Sequence, residues 1–494
     1  VLQHHNDLVR DGVYVDAAFT KTAAANMHVD PTFANATVSG PLYAQPLYLT
    51  GTNGGPDLVI AATEGNGVYA FNAATGAQVW MSSVGTPANH PGGGTTGDLS
   101  CGGITPTLGI TGTPVIDPST RIIYLDAMTV DTSTGGRVLK HMVNAVDADT
   151  GHVHTTGGWP VDVTAKAMSA GTAFDSSVQN QRAALTLVGG KVFVPFGGHI
   201  GDCLGYHGWV VGVSTTDPTQ VSAWATRAVG GGIWGSSGIS SDGTSLFVTT
   251  GNSKASATSG LNTAPSTWGD GESVYKLPTT LAPPSMTSTT DLFVPSNWTS
   301  LDTADQDIGG TGPVLFDIPG ANPSKLLMAL GKDGNAYLLD RTNLGGMDAQ
   351  ALAKAPVATG IIDAAVAYRT ALASYVVFIN SGAPMMCPSG QTGGLSAIKI
   401  SATSPPTMSV AWCGGPATNG SAMVTMTTAA GANTIVWVYG QDQRIHGLDG
   451  DTGQSVYSGA PTPLVQGQPI QAPIVAKGRI FLGTPNQIYA FTPN

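Results

Sequence analysis

The sequence predicts an all-β chain: an eight-bladed β-propeller with four-stranded antiparallel blades, its ring closed by the N-terminal strand. Three observations carry this expectation. One short unit recurs eight times, small residues precede each copy, and the composition suits strands and turns rather than helices. Of 494 residues, 66 are Gly and 32 are Pro, while only 10% are charged. Soluble domains carry roughly 25% charge, so long Glu- and Lys-rich surface helices are not expected. The 41% apolar content is too high for a disordered chain.

The unit is clearest at 68–80, where Val68-Tyr69-Ala70-Phe71 leads through Thr75-Gly76 to a second strand ending in Trp80. It returns at 143–153 and 445–454, with weaker copies starting at Val210, Val274, Ala336, Leu395 and Ile488. The aligned anchors are Tyr69, Asn144, Val211, Tyr275, Tyr337, Ser396, His446 and Tyr489. They lie about 60 residues apart on average, which is a blade-sized period. A strand of small and Pro residues precedes the anchors, as in Thr113-Pro114-Val115, Gly312-Pro313-Val314 and Ala472-Pro473-Ile474. Such residues suit the innermost strand, where eight strands crowd around one axis. Apolar strands such as Leu58-Val59-Ile60-Ala61-Ala62 and Ile480-Phe481-Leu482 follow, and Gly-rich turns complete a four-stranded blade. The final copy stops after its third strand. Residues 31–38 are therefore expected to supply its outer strand, leaving no free edge. Residues 1–30 become an N-terminal arm, and 1–494 a single propeller domain.

Charge and cysteines narrow the function. With 20 Lys+Arg against 31 Asp+Glu, a net charge of −11, the chain cannot neutralise many phosphates. No nucleic-acid partner is expected. No apolar run reaches the roughly 18 residues of a membrane span. The start Val1-Leu2-Gln3-His4-His5 lacks an initiator Met and an apolar signal core, and reads as a mature, processed terminus. The four cysteines form no CxxC. Two disulfides in a secreted or periplasmic protein are expected, pairing Cys387 with Cys413 and, by elimination, Cys101 with Cys203. His4-His5-Asn6-Asp7 resembles a metal-binding tract but reads better as part of a frayed or packed N-terminal arm. Nothing in the sequence bears on the oligomeric state.

The repeat Ala73-Ala74-Thr75-Gly76, closing on Trp80, resembles the quinoprotein propeller repeat, which binds pyrroloquinoline quinone (PQQ). Gly230-Gly231-Gly232-Ile233-Trp234 with Phe247-Val248-Thr249-Thr250-Gly251-Asn252 resembles the fourth blade of eight-bladed PQQ-dependent alcohol dehydrogenases. Asp307-Ile308-Gly309-Gly310 and 331–341 resemble its next site segments. The resemblance implies Trp234 as the floor beneath the quinone, Asn252 and Asp307 as ligands of Ca2+, and Asp307 as catalytic base. Lys332 would act with it and contact the quinone oxygens. The implied cofactors are PQQ and Ca2+, with no haem (no C-x-x-C-H) and no NAD. The implied activity is dehydrogenation of alcohols or sugars. A calcium ion polarises the quinone carbonyl, and a carboxylate takes the alcohol proton.

Two departures make that cofactor site partly degenerate. Where the family places a calcium-binding Glu in blade three, the sequence has Gly201-Asp202-Cys203. The family's adjacent cysteine pair is reduced to Cys101. A Cys101–Cys203 bond is expected to leave the cavity over Trp234 too shallow for a tricyclic quinone. Two other function classes follow. One is a non-catalytic secreted propeller binding glycan or protein on its upper face. The other is a glycan-cleaving lyase using the blade-three loop residues His199, Asp202, Tyr206 and His207, with Arg182 neutralising a uronate carboxylate. In each class the partner is a small molecule or glycan at the channel mouth.

Overall fold

The computed structural model describes the chain except residues 35, 93–96, 100, 261, 419, 460–462, 465–470 and 494. Eight sheets follow one another around a central channel, five of four strands and three of five, each built on four antiparallel strands. Their innermost strands are Leu47–Leu49, Val115–Asp117, Thr186–Val188, Ser240–Ser241, Val314–Asp317, Val366–Arg369, Met423–Met426 and Ile474–Ala476. In blades one to seven the four antiparallel strands step outward in sequence order, as the repeat requires. Second strands such as Leu58–Ala62 are buried along their whole length, because both sheet faces pack against neighbouring blades. No helix among the described residues is long and apolar enough to cross a membrane.

The Thr-Gly turn and Trp of the repeat act together. Trp80 in blade one donates from Nε1 to the carbonyl of Ala148 in blade two at 3.0 Å. A Cβ on Gly151, the Gly of blade two's turn, would lie 2.6 Å from the Trp80 ring. Trp412 repeats the device, donating to Gly450 at 3.0 Å with Gly453 under its ring. The two glycines adopt φ of +74° and +70°, a region open to Gly without steric cost. The repeat is thus most legible at blades one and six, where the outer Trp seats on the next blade's turn.

The N-terminal segment closes the ring. His28–Val29 pairs antiparallel with Phe491 and Thr492 as the fourth strand of the last blade. This strand lies upstream of the expected 31–38, which instead adds a single bridge from Thr37 to Gln487. Asn35 in that stretch lies outside the described residues. The paired cysteines are Cys101–Cys203 and Cys387–Cys413, both as the sequence suggested.

The first sixteen residues lace through the channel. Backbone N–H groups of Tyr48, Ile116, Ser241, Leu315, Ala367 and Val424 donate in turn to carbonyls of Val1, Leu2, Leu8, Val9, Asp11 and Gly12. These donors stand on the inner strands of blades one, two, four, five, six and seven. Val13–Val15 then pairs parallel with Val424, Thr425 and Met426, and Asp16 accepts from Gly478 of blade eight at 2.7 Å. Blade three is reached by a side chain: Arg10 donates to Leu185 O at 2.8 Å and Thr186 Oγ1 at 2.6 Å. His4 and His5 are fully buried, their rings stacked 4.4 Å apart.

Candidate functional site on the upper face

In an antiparallel blade, the start of the inner strand and the end of the second strand lie side by side. Residues leading into inner strands and residues in second-to-third hairpins therefore gather at one mouth of the channel. Arg182, Trp234, Asp307 and Asp363 each precede an inner strand. Asp202, Asn252 and Lys332 follow second strands. That topology alone brings residues far apart in sequence onto one face.

Asp307 is the hub. Its Oδ2 accepts from Trp234 Nε1 at 2.9 Å and faces Lys332 Nζ at 3.2 Å. Its Oδ1 accepts from the Asn252 backbone N–H at 3.3 Å. Gly251 permits the approach, since a Cβ there would stand 2.8 Å from both Asp307 Oδ2 and Trp234 Nε1. Burial pushes the Asp307 carboxyl up to about 6, against the pull of Lys332. Burial also works against the Lys332 ammonium, but Asp307 and Asp305 outweigh it and raise its pKa. Lys332 is engaged twice, since its Nζ also lies 2.8 Å from Asp305 Oδ1.

A cavity of about 440 Å³ opens beside this hub, lined by Arg182, Asp202, Trp234, Ser236, Asp305, Lys332 and Asp363 among others, with Ile104, Ile200 and Ile362 as apolar walls. Arg182 makes no hydrogen bond or ion pair with the described residues. Its guanidinium instead lies 4.9 Å from the centroid of the Trp234 ring. Lys332 approaches the same ring at 5.2 Å. Ser236 Oγ and Asp363 Oδ1 are buried and unpartnered among the described residues. The loops carrying the Cys101–Cys203 disulfide form one wall through Gly103, Ile104, Ile200 and Gly201. The disulfide borders the cavity without filling it.

The blade-three loop places its reactive side chains in structural contacts. Tyr206 donates its hydroxyl to Asp202, and burial holds its pKa well above the ordinary tyrosine value. His199 donates from Nε2 to Ser177 O at 3.2 Å, and burial lowers it to about 4. His207 donates from Nδ1 to Thr226 O at 2.9 Å and is also lowered by burial. Of these four residues, Asp202 lines the cavity. Asp363 and Ser236 escaped the sequence reading. Their only available signal was position, since each leads into an inner strand as Asp307 does.

No family model matches the sequence, and no curated protein matches it. Solved structures do. A quinohemoprotein alcohol dehydrogenase from Comamonas testosteroni superposes with a TM-score of 0.63 at 13% identity, covering 99% of this chain and 80% of that one. A europium-containing methanol dehydrogenase gives 0.63 at 14% identity, over 98% and 90%. BamB from Moraxella catarrhalis gives 0.53 at 13% identity, over 94% and 99%. Fold and site geometry together define an eight-bladed propeller with a polar cavity at its upper mouth. More narrowly, the fold is the PQQ-like, quinoprotein-type propeller.

The residues present do not make the calcium site that the resemblance implies. Both Asp307 oxygens already accept from donors, and Asn252 reaches Asp307 through its backbone, leaving its buried Nδ2 unpartnered. An ammonium stands 3.2 Å from the carboxylate oxygen a cation would take. Among the described residues no group of three or more His, Cys, Asp or Glu side chains is placed to hold a metal ion. The quinone fits poorly on charge. Its three carboxylates would meet Asp202 and Asp305, and among the described residues Arg182 is the one lining cation without an ion pair.

Proposed function

We propose that this chain is a secreted or periplasmic, non-catalytic binding propeller whose upper-face cavity takes a small anionic ligand, free or as one unit of a glycan. One observation carries the reading: a guanidinium with no hydrogen-bond or ion-pair partner among the described residues lines the cavity, resting on Trp234. Arg presents five N–H donors in a fixed fork and stays charged even when buried. Burial lowers the pKa of Arg182, with Asp202 opposing, so an anion arriving there relieves a desolvated charge. The two disulfides and the charge-poor surface support an exported protein. The test is a glycan array followed by calorimetric titration of the hits. Acidic ligands should bind, and Arg182→Gln should weaken them at least ten-fold. Neutral ligands that bind equally to both proteins would count against the reading.

A second reading, an oxidoreductase acting on alcohols or sugars, is favoured by the convergence of Trp234, Asn252, Asp307 and Lys332. It requires Arg182 to leave the Trp234 ring. An absorption scan with added PQQ and Ca2+, followed by a dye-linked alcohol assay, tests it. Turnover abolished by Asp307→Asn would establish this reading over the first.

A further inference from the structure

We infer that the ligand of the upper-face cavity is an acidic sugar: a ring carrying one carboxylate and several free hydroxyls. The inference rests on the binding reading above and adds the ligand's class. The argument runs through the charges that line the cavity. Lys332 is held by Asp305 and Asp307, so Arg182 is the cation left to receive an anion. One free guanidinium calls for one carboxylate, which its fork can bind with two parallel N–H···O bonds. A second or third negative charge would face Asp202 and Asp305, which share the same cavity. Inorganic phosphate and polycarboxylates are disfavoured on that ground.

The remaining lining groups ask for hydroxyls. Asp363 accepts from the Ile379 N–H through Oδ2 at 2.7 Å, while its Oδ1 has no partner among the described residues. Ser236 Oγ is likewise unpartnered, and both residues are more than nine-tenths buried. A buried polar atom without a partner is costly, and native structures rarely leave one. Carboxylate oxygens need donors, and a sugar hydroxyl is a donor that carries no charge. The apolar surface completes the match. Trp234, Ile104, Ile200 and Ile362 offer hydrocarbon to the C–H faces of a ring, with Ile200 and Ile362 44% and 51% exposed at the mouth. The volume of about 440 Å³ lies within the range of small-molecule sites, roughly 300–1,000 Å³.

Calorimetric titration of the full chain with four probes tests this: digalacturonate, the neutral disaccharide galactobiose, citrate and PQQ. Digalacturonate should bind at least ten-fold more tightly than the other three. Arg182→Gln should reduce it to the level of galactobiose, Arg182→Lys should give an intermediate affinity, and Asp363→Asn should weaken it several-fold. Melting temperatures within about 2 °C of the parent would show that these variants keep the fold. Citrate or PQQ binding as tightly as digalacturonate, with the same dependence on Arg182, would overturn the sugar assignment and leave anion binding standing. Equal binding of galactobiose would overturn the carboxylate assignment. If none of the four binds, or Arg182→Gln changes nothing, the inference and the binding reading fall together.

Discussion

Replacing Arg10 by Met removes the side chain that ties the N-terminal arm to blades three and four by hydrogen bonds. The guanidinium is fully buried and donates to His4 O at 2.7 Å, Leu185 O at 2.8 Å, Thr186 Oγ1 at 2.6 Å and Ile239 O at 3.1 Å. Thr186 Oγ1 also donates to Ile239 O, so that carbonyl keeps a partner in the variant. The carbonyls of His4 and Leu185 lose this donor. A buried acceptor left unmade costs about 1–3 kcal/mol. Desolvating a cation is itself unfavourable, and burial already lowers the Arg10 pKa to about 10, so Met recovers part of that loss. The net expectation is a destabilisation of about 2–5 kcal/mol. Unfolding entropy of about 2.1 cal/mol/K per residue over 494 residues gives roughly 1 kcal/mol per kelvin. The melting temperature should fall by roughly 2–5 °C, read by scanning calorimetry at pH 7. Hydrogen exchange should also quicken across residues 1–16 before it does in the blades. A melting temperature within 1 °C of the parent, with unchanged exchange in the arm, would refute the claim that Arg10 anchors it.

The disulfide Cys387–Cys413 spans 26 positions, and loop-closure entropy gives it about 3.5 kcal/mol. The double Ser variant should melt roughly 3–4 °C lower, and an unchanged melting curve would show the bond to be energetically idle. Burial raises the Glu64 carboxyl from 4.5 to about 7, so the folded state keeps a proton that the unfolded chain releases. Its stabilising effect is complete below about pH 4.5 and is lost as pH rises towards 7. Glu64→Gln should flatten that part of the melting-temperature profile, and an identical slope in the variant would contradict the assignment. Trp234→Phe keeps a ring over the site but removes the donor to Asp307, a hydrogen bond to a charged acceptor worth about 1.5–3 kcal/mol. A drop of roughly 1–3 °C is expected, and no drop would mean that the Trp234–Asp307 contact is not holding blades four and five together.

The blades were readable because one physical constraint repeats. Trp80 and Trp412 each need a Gly in the next turn, and small or Pro residues lead into inner strands. Those demands stamp the same residues into the chain at blade-sized intervals. The arm was not readable for the opposite reason. Its links to blades one, two, four, five, six and seven run through backbone carbonyls, which any residue supplies, so residues 1–16 carry no pattern. The closing strand was placed at 31–38 instead of at His28–Val29 because a two-residue pairing against Phe491 and Thr492 leaves too short an alternation to recognise. At the site, Trp234, Asn252, Asp307 and Lys332 were visible through resemblance. Asp363 was not, because a single Asp ahead of a strand looks like any turn residue until eight such lead-ins are seen to share one axis.

The charge pairing explains how a propeller can carry the residues of that resemblance without a cofactor against them. Asp307 bonds across the junction of blades four and five, to Trp234 and the Asn252 backbone on one side and to Lys332 on the other. Gly251 is fixed by the same contact. Those residues therefore hold the junction whether or not a cofactor lies against them, and their presence in family order does not by itself require one. What distinguishes this cavity is the residue that the junction does not use. Arg182 comes from blade three, touches the hub only through the Trp234 ring, and contributes nothing to the lock between blades four and five. A half-buried guanidinium whose one printed contact is an aromatic ring remains short of hydrogen-bond acceptors, and the anionic ligand proposed above would supply them.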